Sequence, residues 1–265
     1  MSFLHNITLR CVRLGLLLSL SVIPVMPAAA RTPVGKKPVI VLSFDDAPAS
    51  HYTYVAPLLK KRRFGATFYI CEYPGFENKE HYMTWEQIRE ISRQGFEIGN
   101  HTRTHKHVNR MREEELKDEL RYIEDRCAEY GIPHPHTFAY PGYDYNDMAQ
   151  RVLAEMGYTS ARTGGERDFD PERDTNLMLL PSYTITGSDE TTFEHVRQIL
   201  TSAAPGSTVI FCFHGVPDLA HDWVSTDPQI FFQMMTYLKK NRYTVLSVGD
   251  FIKRRQKQPN RLSRR

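Results

Sequence analysis

Cysteine is scarce in this chain: four in 265 residues, at positions 11, 71, 127 and 212. Cys11 falls in an N-terminal segment that reads as removable. The remaining three are an odd number without framework spacing, so buried free thiols are expected, with room for at most one disulfide. A Gly-rich dinucleotide fingerprint is missing, and so is any internal repeat or sign of a second domain. After residue 30 no stretch is apolar for long enough to cross a bilayer. Basic charge is not spread over the body. The formal net charge is +3, and the segment Lys253–Arg265 alone carries seven basic residues and no acid. The body before it is therefore net acidic, which argues against a nucleic-acid partner. The tail reads as a disordered basic end that could hold an anionic surface polymer.

What is present begins with a leader. Arg10 and Arg13 precede an apolar run, Leu14 to Met26, followed by Pro27-Ala28-Ala29-Ala30. This order of charge, apolar run and small residues is that of a secretory signal cut after Ala30. The expected mature protein starts at Arg31 and is secreted or periplasmic, with no stable membrane span. A retained anchor is the alternative, disfavoured because the apolar run is short. Residues 31–252 are then one enzyme-sized domain and 253–265 the basic tail.

From Pro38 the chain alternates apolar strands with amphipathic helices. Strands are expected at Pro38–Phe44, Ala66–Cys71, Phe96–Gly99, Thr137–Tyr140, Tyr158–Thr163, Leu177–Ile185, Thr208–Phe213 and Tyr243–Val248. Between them, Thr84-Trp85-Glu86-Gln87 has capping-box form. Leu116, Leu120, Ile123, Cys127 and Tyr130 make an apolar stripe over a helix at 112–130, ended by Gly131. Asn146 caps a helix ending near Gly157, Thr191-Thr192-Phe193-Glu194 opens another, and Asp227-Pro228 a third. Continuous apolar strands between helices imply a parallel sheet covered on both faces, and this many units point to a barrel.

The chemistry-bearing residues fall at strand ends. Asp45 and Asp46 follow strand one, His101 and His105 follow strand three, Pro141 follows strand four and His214 follows strand seven. In a parallel barrel all these ends open on one face, where active sites lie. His101 and His105 are one helical turn apart, so two imidazoles could grip one cation, with a carboxylate as third ligand. A lone His-x-x-x-His pair is usually a pair of surface histidines, and paired aspartates are often a helix cap. Both at strand ends in one chain is a rarer coincidence.

The combination resembles the polysaccharide deacetylases, or NodB-homology family. Its Thr-Phe-Asp-Asp-Gly-Pro motif is similar to Ser43-Phe44-Asp45-Asp46-Ala47-Pro48, and its His-Ser/Thr-x-x-His motif to His101-Thr102-Arg103-Thr104-His105. Its Arg-x-Pro-Tyr-Gly motif has a departed counterpart in Ala139-Tyr140-Pro141-Gly142-Tyr143. Its late histidine corresponds to His214, after Val209-Ile210-Phe211-Cys212-Phe213. The likeness runs from about Pro38 to about Val248; a fourth family motif, with an aspartate and a tryptophan, has no counterpart. The resemblance implies an irregular α/β barrel, a (β/α) barrel of about seven parallel strands. It also implies a metal-dependent hydrolase that removes N-acetyl groups from an acetylated glycan such as chitin, chitooligosaccharide or peptidoglycan. Asp46, His101 and His105 would hold a divalent ion, zinc first, with cobalt or nickel as substitutes. The ion's water would attack the amide, Asp45 acting as base and His214 as acid toward the departing amine. The oxyanion and substrate would meet Tyr140, Pro141 and the Gly142 N–H.

Two further residues complete the reading. Trp223 either stacks on a sugar or pins its own loop. Ala139 stands where the family has an arginine that tethers the base, and Arg162, near the end of strand five, is the expected replacement; pairing with Asp168 or Asp170 is its alternative. His107, His134 and His136 read as dispensable; His51 and His221, in loops near the mouth, read as solvated, with substrate contact as the alternative. Rival functions on the same fold are an O-acetyl xylan esterase, a hydrolase of cyclic amides, which export disfavours, and a non-catalytic carbohydrate-binding relic.

Overall fold

The computed structural model describes residues 37–257. The expected signal segment and residues 258–265 of the basic tail lie outside them. Eight parallel strands form one sheet: β1 Val39–Phe44, β2 Thr67–Ile70, β3 Glu97–Asn100, β4 Thr137–Ala139, β5 Ser160–Gly165, β6 Leu180–Thr184, β7 Thr208–Phe213 and β8 Val245–Leu246. Strands β1 to β7 close into a barrel. The β1–β7 seam is complete, from Val39↔Thr208 to Phe44↔Phe213. The β1–β2 seam holds only at Ser43↔Thr67 and Phe44↔Phe68, because β8 occupies the lower half of β1 at Ile40 and Val41. The expected eighth strand is thus a two-residue wedge rather than a full stave.

Among the described residues six α-helices surround this barrel, α1 Ala56–Arg62, α2 Trp85–Arg93, α3 Glu113–Glu129, α4 Asp147–Glu155, α5 Glu190–Ser202 and α6 Pro228–Lys240, and a seventh, α7 Val248–Gln256, packs at its end. The Thr84 capping box forms as its sequence predicts, and Asn146 and Asp227 cap α4 and α6. Helix α5 is capped by Asp189, two residues before the expected start, because its carboxylate reaches the N–H groups of Thr191 and Thr192. Leu177–Leu179 is a single 3-10 turn, so β6 starts later than expected.

The alternation of strand side chains sorts the core. Ile40, Leu42 and Phe44 of β1 and Val209, Phe211 and Phe213 of β7 face outward against the helices. Val41, Tyr69, Ala139, Leu180 and Ile210 face the barrel interior, where Val248, Phe251 and Ile252 of α7 pack among them. Helix α7 therefore closes the N-terminal end of the barrel. This corrects the expected tail: Lys253 to Gln256 are helical, because Phe251 and Ile252 are buried in the barrel and the helix continues from that anchor. Gly99 is needed on the interior face, since a Cβ there would lie 2.4 Å from the Tyr69 ring. Cys71, Cys127 and Cys212 are all buried free thiols.

Candidate active site

The inward face of β1 runs Val41, Ser43, Asp45, so Asp45 enters the barrel mouth by strand periodicity alone. Asp46 would then point outward. It does not, because Asp46 and Ala47 both take left-handed backbone, with φ of 72° and 54°. That turn brings two consecutive carboxylates to one place. Left-handed backbone costs a non-glycine residue about 1–2 kcal/mol, so the turn is strained where chemistry is expected.

The inward face of β3 runs Glu97, Gly99, His101. His101 and His105 are not on a helix, contrary to the one-turn expectation. They flank a loop in which Thr102 and His105 have φ of 61° and 58°. The loop folds the two rings together, with centroids 4.8 Å apart. The Thr102 N–H donates to Asn100 Oδ1 at 2.9 Å, and the Thr104 N–H to Glu119 at 2.7 Å, which hold the loop in place.

Asp46 Oδ1 lies 3.4 Å from His101 Nε2 and 3.5 Å from His105 Nε2. One ligand atom from each of the three lies within 4.8 Å of the others. His101 Nδ1 donates to the Ala139 carbonyl at 2.8 Å, which leaves Nε2 to face the carboxylate. A backbone acceptor behind a ligating imidazole is the usual support of a metal site. Burial, then the neighbouring His101, lowers His105 to about 4, so it carries a free lone pair. Burial opposes a proton on His101, but Asp45 and Asp46 outweigh it and raise its pKa. The pocket therefore stabilises one positive charge, and a divalent ion fits this donor set by displacing that proton.

Arg162 is fully buried and its Nη2 pairs with Asp45 Oδ2. Ala139 and Arg162 are register partners on β4 and β5, so the guanidinium stands one strand over at the same height. Tyr69 and Tyr143 flank it, each ring 5.5 Å away. Its Nη1 donates to Ser182 Oγ at 3.4 Å. Asp168 and Asp170, the alternative partners, are not paired with it; the nearby loop is organised instead around Asp174, held by Arg167 and Arg173. Burial would raise the pKa of Asp45, but Arg162 first, then His101 and His214, bring it below the usual carboxylate range. Asp45 Oδ1 is buried and has no hydrogen-bond partner among the described residues.

His214 continues the inward face of β7 after Ile210 and Cys212. Its Nε2 is 3.9 Å from Asp46 Oδ2. Behind it, His51 is fully buried between Phe44 and Phe68 and donates from Nε2 to the His214 carbonyl at 3.0 Å. His51 is thus no solvated histidine. Burial lowers its pKa to about 4 and keeps it neutral.

The third-motif turn divides. Tyr140 sits on the outward face of β4, fully buried beside Phe138, so its side chain is not available to substrate. This corrects the expected contact, and strand alternation is the reason. Gly142 has φ of 61°, and a Cβ on it would lie 2.3 Å from the His107 ring. His107, expected to be dispensable, packs under this turn and bonds Asp144 at 2.8 Å. The Gly142 N–H has no acceptor among the described residues. Trp223 is 69% exposed, and its ring leads inward through His221 at 5.1 Å and Tyr73 at 4.5 Å to His105 at 4.9 Å. His221 is buried rather than solvated. Tyr73 carries no motif that could have announced it, whereas Cys212 and Cys71 follow from inward periodicity. Their thiols face Asp45 Oδ2 at 3.4 Å and Asp46 Oδ1 at 3.6 Å.

The chain matches the family model described as polysaccharide deacetylase over residues 33–161. It is 28% identical over 132 residues to the peptidoglycan-N-acetylglucosamine deacetylase of Bacillus cereus, covering 49% of this chain and 58% of that one. The match thus spans little more than half of that relative. The fold is similar to PdaA of Bacillus subtilis, a family 4 carbohydrate esterase, with a TM-score of 0.58 at 19% identity over 83% and 84% of the two chains. It is also similar to the Xyl-CE4 domain of a multidomain xylanase from a Trinervitermes trinervoides hindgut metagenome. There the TM-score is 0.59 at 19% identity, over 85% and 94%. At such identity the structural likeness speaks for the barrel, and the sequence match speaks for the motifs on it. Over residues 33–161, which carry the Asp45–Asp46 and His101–His105 pairs, the chain is thus similar to the polysaccharide deacetylase family.

Proposed function

We propose that the protein is a divalent-metal-dependent hydrolase that removes N-acetyl groups from an extracellular GlcNAc-containing polysaccharide or oligosaccharide. Asp46, His101 and His105 hold the ion, zinc being the best match to two imidazoles and a carboxylate. When bound, such an ion acts as a Lewis acid toward the amide carbonyl and acidifies water. The observation that carries the reading is the division of labour between the two aspartates. Asp46 faces both imidazoles, while Asp45 has one oxygen held by Arg162 and the other free.

Asp45 Oδ1 takes the proton of the attacking water. Arg162 fixes the rotamer of Asp45 and keeps it ionised, which a base requires. His214 Nε2, across the mouth, delivers a proton to the departing amine nitrogen. The Gly142 N–H is the donor for the carbonyl oxygen as it becomes an oxyanion. Trp223 offers an exposed ring for a sugar face. The leader at residues 1–30 directs the protein out of the cytoplasm.

The test measures bound metal and acetate release from chitooligosaccharides and from peptidoglycan fragments, with acetylated xylan as the ester control. Wild type should carry one divalent ion and release acetate from the amides. Asp46→Ala and His101→Ala should lose metal and at least about three powers of ten in turnover while keeping the fold. Full metal occupancy in both variants rejects the ligand set. Release from xylan alone makes the enzyme an O-acetyl esterase.

A further inference from the structure

The end of the barrel opposite the mouth carries a cationic face. Helices α1 and α6 end there, in Lys60, Lys61, Arg62 and Arg63, and in Lys239, Lys240 and Arg242 just beyond. Lys37, where the described chain begins, joins them by donating to the Asn241 carbonyl at 2.6 Å. No acid occurs from Ala47 to Cys71 or from Pro228 to Gly249. None of the eight side chains is in an ion pair among the described residues. Yet the body of the chain is net acidic, so the charge is segregated rather than merely abundant.

Part of this charge has a local explanation. Helix C-termini favour cations. Lys60 donates to the Gln94 carbonyl and Lys239 to the Arg62 carbonyl at 2.9 Å. That account does not extend to Lys61, Arg63, Lys240 and Arg242. All four are exposed, and their side chains have no hydrogen-bond acceptor among the described residues. Amid them Phe232 is 47% exposed, with the Arg62 guanidinium stacked 4.7 Å over its ring. A groove lined by Leu58, Lys61, Arg62, Phe232, Lys239 and Lys240 runs between the two helices.

We propose that this face docks on an anionic lipid membrane surface, leaving the mouth turned away from the bilayer toward a polymer substrate. Diffuse cations around a half-exposed aromatic are the makeup of a peripheral membrane contact. The cations do not converge on one point, and the surrounding helix C-terminal carbonyls repel a single seated phosphate.

The experiment is co-sedimentation of the purified full chain with vesicles of phosphatidylcholine alone or with one quarter phosphatidylglycerol, at low and high salt. Soluble polyphosphate serves as the alternative polyanion. Anionic vesicles should bind at least ten-fold better than neutral ones, and 0.5 M salt should abolish the difference. The Lys61→Glu/Arg63→Glu/Lys240→Glu/Arg242→Glu variant should lose that preference while its acetate release from soluble substrate is unchanged. Phe232→Ser should weaken vesicle binding several-fold and leave polyphosphate binding unaltered. Equal binding to both vesicles, or a quadruple variant that binds like wild type, overturns the proposal. So does Phe232→Ser without effect on vesicles, in which case the face is a site for a soluble polyanion.

Discussion

The two ends of the barrel bury a carboxylate in opposite ways. At the closed end Glu97 is fully satisfied. Its Oε1 accepts from Thr137 at 3.1 Å, and its Oε2 from Thr67 at 2.6 Å and from the Gly249 N–H, at the start of α7, at 2.8 Å. At the open end Asp45 is more deeply buried, yet its Oδ1, His214 Nδ1 and Arg162 Nε have no partner among the described residues. Satisfied buried polar groups stabilise a fold; unsatisfied ones cost stability and persist where something else needs them. Glu97 therefore reads as the lock that holds α7 across the barrel, and Asp45 as a group kept free for a reaction.

The largest expected effect sharpens that contrast at the mouth. Asp45→Asn should keep its metal and lose about two to four powers of ten in turnover, since it removes the proton acceptor. Arg162→Ala should also lose turnover with metal retained, and lose about 3–5 kcal/mol of stability because Asp45 is left unpaired. Because Ala139 and Arg162 are register partners, the double variant Ala139→Arg/Arg162→Ala should recover part of that turnover. Unchanged kinetics in Arg162→Ala would remove the tether from the mechanism.

At the closed end the signs should reverse. Glu97→Ala strands two hydroxyls and a helix N–H, so unfolding by urea should show a loss of about 3 kcal/mol, with turnover of the folded fraction near wild type. A catalytic collapse with normal stability would break the comparison.

His51 tests the layer behind the mouth through pH. Its folded pKa of about 4 lies below the ordinary histidine value. The unfolded chain binds that proton first, so stability falls as pH drops from about 6.5 to about 4. The contribution is about 3 kcal/mol across that window. His51→Gln should lose this part of the acid sensitivity, read as the difference in slope between the two proteins. Parallel slopes would place the acid lability elsewhere.

The smallest effect belongs to the rim. Trp223→Ala should raise KM by roughly ten-fold or less, leave kcat unchanged and leave stability within about 0.5 kcal/mol, since the ring is mostly exposed. An unchanged KM would reduce Trp223 to a loop residue.

Much of the fold was legible because parallel strands buried on both faces are continuous apolar runs. The complete β1–β7 seam and the capped helices α2, α4 and α6 follow from such runs and caps. The boundaries moved where tertiary contacts decide. β8 shrank because it shares β1 with β2, and α7 ran on because its apolar residues plug the barrel. The site was legible as a set of strand-end residues. It was less legible as a set of directions. Tyr140 fell on the outward face, whereas Arg162 fell inward beside Asp45.

By itself the sequence determined which residues stand at the strand ends, because strand and helix periodicities are local and written residue by residue. It also determined the acid-free basic stretches, since those are composition along the chain, whereas the fold alone joins Lys37, Lys60–Arg63 and Lys239–Arg242 into one face. The tertiary structure alone decided that Asp46 turns back beside Asp45, that the His101–His105 loop folds its rings together, and that His51 and Tyr73 back the site. Those outcomes depend on left-handed turns and on packing between residues far apart in the chain. No local pattern encodes them, because the energy that holds them comes from the closed barrel.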